Sequence, residues 1–147
     1  MNKKVLMSLV LLVAAGAVFA QQAVDFNGNR YERIDQDMSW ADAKAYAESL
    51  GGHLATITSE AEWNAIKGLV TGAPMKGYYI GAEWSPSTKS YQWITGERWT
   101  EPTWVKFSRS SPNDGSKEPA IAVWRAQMNW QDVHGRKEGL GLIVEFE

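Results

Sequence analysis

No cysteine occurs in this chain of 147 residues, whereas tryptophan occurs eight times. That contrast constrains the fold, because the chain begins like an exported protein and small exported domains usually rely on disulfides formed in oxidising compartments. Asn2, Lys3 and Lys4 make a short positive start, Val5 to Val18 is almost unbroken apolar sequence, and Val18-Phe19-Ala20 presents small or modest side chains where a signal peptidase reads. Residues 1–20 are therefore predicted to be a cleaved signal peptide, with residues 21–147 forming the domain. A retained anchor would need roughly 20 apolar residues with stop-transfer flanks. This run is shorter and gives way at once to Gln21, Gln22 and Asp25, and no Cys follows it to carry a lipid thioether. The core must then come from packing alone, to which each buried indole contributes about 150–250 Å² removed from water.

Without its leader the chain keeps 127 residues, one domain's worth and enough for a single core. Lys3 and Lys4 leave with the leader, so 13 of the 15 Lys and Arg face 17 Asp and Glu, a formal charge of −4. A mildly acidic surface argues against nucleic acid or an anionic membrane as the main partner. The expected location is secreted, periplasmic or at the cell envelope, with no stable membrane insertion after cleavage.

Residues 30–34 alternate polar and apolar side chains and predict a first strand. Ser39 opens a helix, with Asp42 three residues on to complete a capping box, and Trp40, Ala43, Ala47 and Leu50 fall on one face before Gly51-Gly52 ends it. After a short extended link, 53–57, Ser59 and Glu62 form a second capping box for a helix that buries Ala61, Ile66, Leu69 and Val70 and stops at Thr71-Gly72-Ala73-Pro74. Beyond Gly77 the texture changes to short runs between Gly, Pro, Ser and Asn. Residues 78–82, 91–94, 120–124, 128–130 and 142–146 predict strands. A long aperiodic stretch separates Trp93 from Ala120, and such a loop in a compact domain is normally functional. Helices first and strands afterwards make an α+β plan.

Six strings in this order resemble the C-type lectin-like domain. SWADAKAYAESLGGHLATITSEAEWNAI, Ser39 to Ile66, is similar to that family's two-helix half, and YYIGA, Tyr78 to Ala82, to its WIGL strand. YQWITGERW followed by Trp104 is similar to the spacing that leads into the family's long loop. SPN at Ser111 to Asn113, WQD at Trp130 to Asp132 and LIVEFE at Leu142 to Glu147 are similar to the Pro-centred loop motif, the WND motif and the closing strand. The resemblance implies two helices packed on small antiparallel sheets with a long loop region. It also implies that Ala47 and Val144, and Ala120 and Gly135, stand where family members carry disulfides, each bridge being worth about 2–4 kcal/mol.

Catalysis finds little support. His53 lies in the link between the helices and His134 in a polar loop, with no nucleophile elbow or metal-type spacing around them, and Glu60 and Glu62 sit at a helix start where the dipole favours negative charge. The chain is expected not to be an enzyme. For metal, the resemblance carries calcium ligands onto Asn113, Glu118 and Asp132, while Ser111 and Gln131 depart from the family's acidic or amide residues. Calcium wants about 6–8 oxygens and loses affinity with ligand charge. Two readings remain open: a weak calcium site, or a hydrogen-bonded loop with no ion. The resemblance further implies that Asn113, Glu118, Gln131 and Asp132 converge on one surface. Trp84 and Trp99 fit the family's inward aromatics less well than Trp93, Trp104 and Trp130, and are expected to offer platforms for a pyranose face or a protein partner. The expected function is a glycan-binding module. The alternative is a protein-binding adhesin or envelope-associated domain using the same face without calcium.

Overall fold

The turn Asn27-Gly28, with both residues at positive φ (51° and 88°), opens the fold as a hairpin of β1 (Ala23–Phe26) and β2 (Asn29–Ile34). This is the primed turn that matches strand twist. The sequence reading found β2 and missed β1. The computed structural model describes residues 22–108, 111–112, 115–136 and 139–147; the expected leader, residues 1–20, and Asn113 lie outside the described residues. Both helices start where expected. Ser39 caps α1 (Trp40–Ser49) by accepting from the Asp42 amide, and Ser59 caps α2 (Glu60–Val70) by accepting from the Glu62 amide. Leu50 does not join the buried face of α1: it is the C-cap and stands 42% exposed. Ala61, read as inward on α2, is likewise exposed.

The remaining strands are β3 (His53–Leu54), β4 (Gly77–Ser85), β5 (Ser90–Trp93), β6 (Ala120–Trp124), β7 (Asn129–Val133) and β8 (Leu140–Phe146). They form one connected sheet in the order β1-β2-β8-β4-β6-β7, with β3 also on β8 and β5 on β4. The α+β plan holds, but the several small antiparallel sheets are a single mixed one, because β4 and β8 run parallel.

Strand alternation splits the core into two layers, one on each side of this sheet. Tyr78, Ile121, Val123 and Ile143 face the layer that holds Trp63, Ile66 and Leu69 of α2. Tyr79, Ala120, Ala122, Leu142 and Val144 face the layer that holds Ala43 and Ala47 of α1. The second layer is rich in Ala, which lets α1 sit close to the sheet. Both members of the first disulfide-like pair, Ala47 and Val144, are fully buried there. In the second pair, a Cβ built on Gly135 would lie 3.5 Å from the Ala120 Cβ, within the range that a disulfide spans. Small side chains thus occupy both places.

The long loop is fastened by aromatic rings rather than by regular structure. Trp130, fully buried, meets Trp63, Trp93, Trp104 and Phe107 edge-to-face at centroid distances of 5.8, 6.1, 5.7 and 6.0 Å. Such pairs contribute about 0.5–1.5 kcal/mol each beyond area burial. The backbone follows, with Trp130 N–H donating to Lys106 O and Ser108 N–H to Trp130 O, both at 3.0 Å. Among the described residues no helix is long and apolar enough to cross a membrane.

Candidate functional site

A break in strand register aims the candidate site. Between Tyr79 and Glu83, β4 slips against β6. The freed peptides find other partners: Trp40 Nε1 donates to Ile80 O (3.1 Å), Gly81 N–H to Ala55 O (2.8 Å) and Ile94 N–H to Gly81 O (2.9 Å). Past the irregularity β4 pairs with β5, and Trp84 stands directly opposite Tyr91. The Trp84 amide is held by Pro119 O at 2.7 Å, which ties this strand to the end of the long loop.

Trp84, Tyr91 and Trp99 then line an open cleft of about 280 Å³, with Lys89, Ser90 and Glu101 as its polar edge and Pro112 and Gly115 closing the loop side. Tyr91 sits between the indoles, 5.3 Å from Trp84 and 5.7 Å from Trp99, and Trp99 leans on buried Trp93 at 5.1 Å. Both indoles are half-buried. They are therefore not free-standing platforms but braced walls, which lowers the entropy lost when a ligand fixes them. Gly115 is required at its place, since a Cβ there would overlap the Trp84 ring.

Tyr91 joins this cleft to the polar candidates. Its hydroxyl donates to the Glu118 carbonyl at 2.7 Å and lies 3.5 Å from Asp132 Oδ2. The sequence reading assigned Tyr91 to a strand without a role. The usable signal was the alternation in Ser90-Tyr91-Gln92-Trp93, which puts Tyr91 and Trp93 on one face. Gln131 departs from the expected convergence. The pleat sends Trp130 and Asp132 to one face of β7 and Asn129 and Gln131 to the other, where Gln131 Nε2 donates to Asn129 Oδ1 at 3.2 Å.

Among the described residues, the expected calcium donors have separate partners. Asp132 is 4% exposed beside Tyr91, Gln131 faces away, the Ser111 hydroxyl accepts from Ser108 Oγ at 2.9 Å, and the Glu118 carboxylate lies 3.9 Å from His134 Nε2. Among the described residues, no group of three His or carboxylates gathers around Asp132.

His134 is held through Nδ1 at 2.8 Å from Lys117 O, and His53 through Nδ1 at 2.8 Å from Leu54 O. Glu62 proves more than a dipole partner for α2. It is buried, accepts from Thr58 N–H (2.7 Å) and from the Tyr31 hydroxyl (2.5 Å), and shares that hydroxyl with Glu145 at 3.1 Å. Burial first, then the bond to Glu62, hold the Tyr31 phenol well above its ordinary range.

A family model described as Lectin C-type domain matches residues 36–140. Ladderlectin of Oncorhynchus mykiss is 26% identical over 113 residues, which is 74% of this chain and 58% of that protein, so the match spans little more than half of ladderlectin's length. The solved SPL-1–GlcNAc complex has a TM-score of 0.72 to this fold at 22% identity, covering 85% of this chain and 92% of that one. SPL-2 from Saxidomus purpuratus, described as a Ca²⁺-independent C-type lectin, has the same TM-score of 0.72 at 22% identity, over 85% of this chain and 91% of its own.

Proposed function

The chain belongs to the C-type lectin domain family, and from that premise we propose that it is an exported, non-catalytic module that binds glycans at the Trp84–Tyr91–Trp99 cleft without needing calcium. The observation that carries this reading is the cleft itself. Aromatic side chains lining the cleft are edged by Lys89, Ser90 and Glu101, so a pyranose can stack its apolar face while its hydroxyls find polar partners. The Glu118 carbonyl and the buried Asp132 hold the Tyr91 hydroxyl and so brace the cleft from behind. Asn113 enters by its sequence position beside Pro112. SPL-1 and SPL-2 share the fold, and their sugar and calcium-independence are in keeping with this reading without carrying it.

A neighbouring hollow favours a second reading. Trp40, Ala41, Trp84 and Pro119 give a depression of about 200 Å³ with a largely apolar lining, which suits a protein partner's anchor side chain.

A glycan array, run with and without chelator on the wild type and on Trp99→Ala, tests the proposal. Binding that survives chelation and falls about tenfold or more in Trp99→Ala is expected, a tenfold change being about 1.4 kcal/mol. No glycan bound, with exported proteins captured through the Trp40–Trp84 hollow instead, would replace the sugar reading with the protein one. Glycan binding indifferent to both Trp84 and Trp99 would place the site elsewhere.

A further inference from the structure

β8, the neighbour of β4 in the sheet, ends between two other partners: Glu145 pairs with Tyr31 of β2 on one side and with His53 of β3 on the other. A polar cavity of about 300 Å³ opens here, and Glu62, Glu97, Glu145 and Glu147 all line it, with neither Lys nor Arg among its described lining residues. Such a concentration of negative charge attracts cations, but a carboxylate cluster alone does not make a site. The specific feature is His53.

The His53 ring is fixed in one tautomer by its surroundings. Nδ1 lies 2.8 Å from the Leu54 carbonyl and 4.0 Å from Glu145 Oε2; the carbonyl can only accept, so Nδ1 carries a proton, and in the neutral ring Nε2 carries the lone pair. Nε2 is buried and has no hydrogen-bond partner. Facing it at 3.5 Å is Glu147 Oε1, which is also a lone-pair donor. Two such atoms directed at each other need something positive between them. A separation of 3.5 Å matches two ligands each about 2.0–2.2 Å from one zinc ion at a near-tetrahedral angle. Anchoring the second ring nitrogen on a backbone carbonyl is also what metal-binding histidines generally show. One ligand atom each from His53, Glu145 and Glu147 lies within 4.8 Å of the others.

We propose that His53, Glu147 and Glu145 form a site for a divalent transition metal, zinc in the first place. The imidazole nitrogen sets the class, since calcium and magnesium prefer all-oxygen shells whereas imidazole suits zinc, copper and nickel. Glu145 is the least mobile of the three. It is 3% exposed, and its two oxygens accept from Asn29 Nδ2 (2.7 Å), the Tyr31 hydroxyl (3.1 Å) and the Thr56 amide (2.9 Å). It therefore supplies fixed negative charge, while His53 and the exposed Glu147 supply the free lone pairs. The bound ion would clip β3, next to the first helix, onto the end of the last strand in a chain that has no cysteine to do so.

The test is a thermal-shift titration of untagged, chelator-stripped protein with zinc, calcium and magnesium, together with calorimetry for stoichiometry. Zinc at saturating excess is expected to raise the Tm by roughly 5–10 °C at one ion per chain, with calcium and magnesium inert at the same concentration. Glu147→Gln, at a largely exposed position that leaves folding intact, and His53→Asn should each weaken zinc binding at least tenfold. His134→Ala, which removes the histidine near Glu118, should leave it unchanged. The proposal fails if stripped wild type does not respond to zinc, as it would if a proton alone held His53 against Glu147. It also fails if the shift survives both Glu147→Gln and His53→Asn, or disappears in His134→Ala.

Discussion

Two regions of this sheet, carried by the neighbouring strands β8 and β4, handle polar groups in opposite ways. At the end where β8 closes against β2 and β3, Glu62, Glu145, Tyr31 and Thr56 are buried and satisfy one another through short hydrogen bonds. At the cleft on β4 and β5, the Trp84 and Trp99 indoles stand half-buried around the buried Tyr91, and the polar groups line the edge. A buried, mutually satisfied cluster rigidifies and specifies a structure, because leaving any member unpaired is costly. Half-exposed rings on a braced strand keep binding capacity instead. Stability and recognition therefore use different residues, and substitutions should separate them.

The largest effect is expected at the buried end. Glu145→Ala leaves the Asn29 side-chain amide and the Thr56 backbone amide without this acceptor, while the Tyr31 hydroxyl keeps Glu62, and should cost about 3 kcal/mol or more of stability in denaturant unfolding. Trp99→Ala, by contrast, should lose binding while costing about 1–2 kcal/mol, since its ring is only partly buried. Equal destabilisation by the two would erase the distinction between the regions.

A gain of similar size should follow from restoring a cross-link near the same end. Ala47 and Val144 are fully buried in one layer, so the Ala47→Cys/Val144→Cys pair should oxidise and add about 2–4 kcal/mol, read as a higher Tm that reductant reverses. A pair that stays reduced under oxidising conditions would mean that the two backbones are too far apart to bridge. Ligand affinity at the cleft should not change.

How much of this was legible in the sequence follows the same division. The helix starts could be read because capping is local: Ser39 and Ser59 reach amides three residues away. The α+β class could be read from texture, and the small residues at Ala47, Val144, Ala120 and Gly135 from resemblance. Long-range matters escaped. The parallel pairing of β4 with β8 joins residues far apart in sequence, and the Glu62–Tyr31–Glu145 cluster draws its members from α2, β2 and β8. Glu62 looked complete as a capping residue, so nothing local announced its second role. At the cleft, Trp84 and Trp99 stood out by residue type, but Tyr91 between them was hidden by its strand pattern. Gln131 and Asp132, adjacent in sequence, take opposite faces of β7, as neighbours in a strand do.

A smaller effect tests the buried cluster through pH. The folded chain holds the Tyr31 phenol above its unfolded value of 10.0. The neutral phenol is thus favoured on folding, so its contribution is fully present below pH 10 and is lost as pH rises above it. Tyr31→Phe should cost about 1–2 kcal/mol at neutral pH and flatten the alkaline loss of stability above pH 10. An unchanged alkaline slope would assign that loss to other groups, with Tyr78, raised by burial and its bond to Asp35, the first to examine.

The smallest effect expected is the response to calcium, and it bears on the cleft. An ion that binds the native state alone must raise the Tm as its concentration passes the dissociation constant. Calcium affinity scales with the number of charged oxygens that can meet at one point. Here Gln131 stands on the face of β7 away from Asp132 and donates to Asn129, the Ser111 hydroxyl accepts from Ser108, and Asp132 lies buried beside the Tyr91 ring that walls the cleft. The Tm should therefore move by less than about 1 °C up to several millimolar calcium, the range where weak extracellular sites fill, and glycan binding should be indifferent to chelation. A clear rise that Asp132→Asn or Asn113→Ala abolishes would show that the loop gathers its oxygens around the ion. The two regions of the sheet would then differ in which metal they hold rather than in whether they hold one.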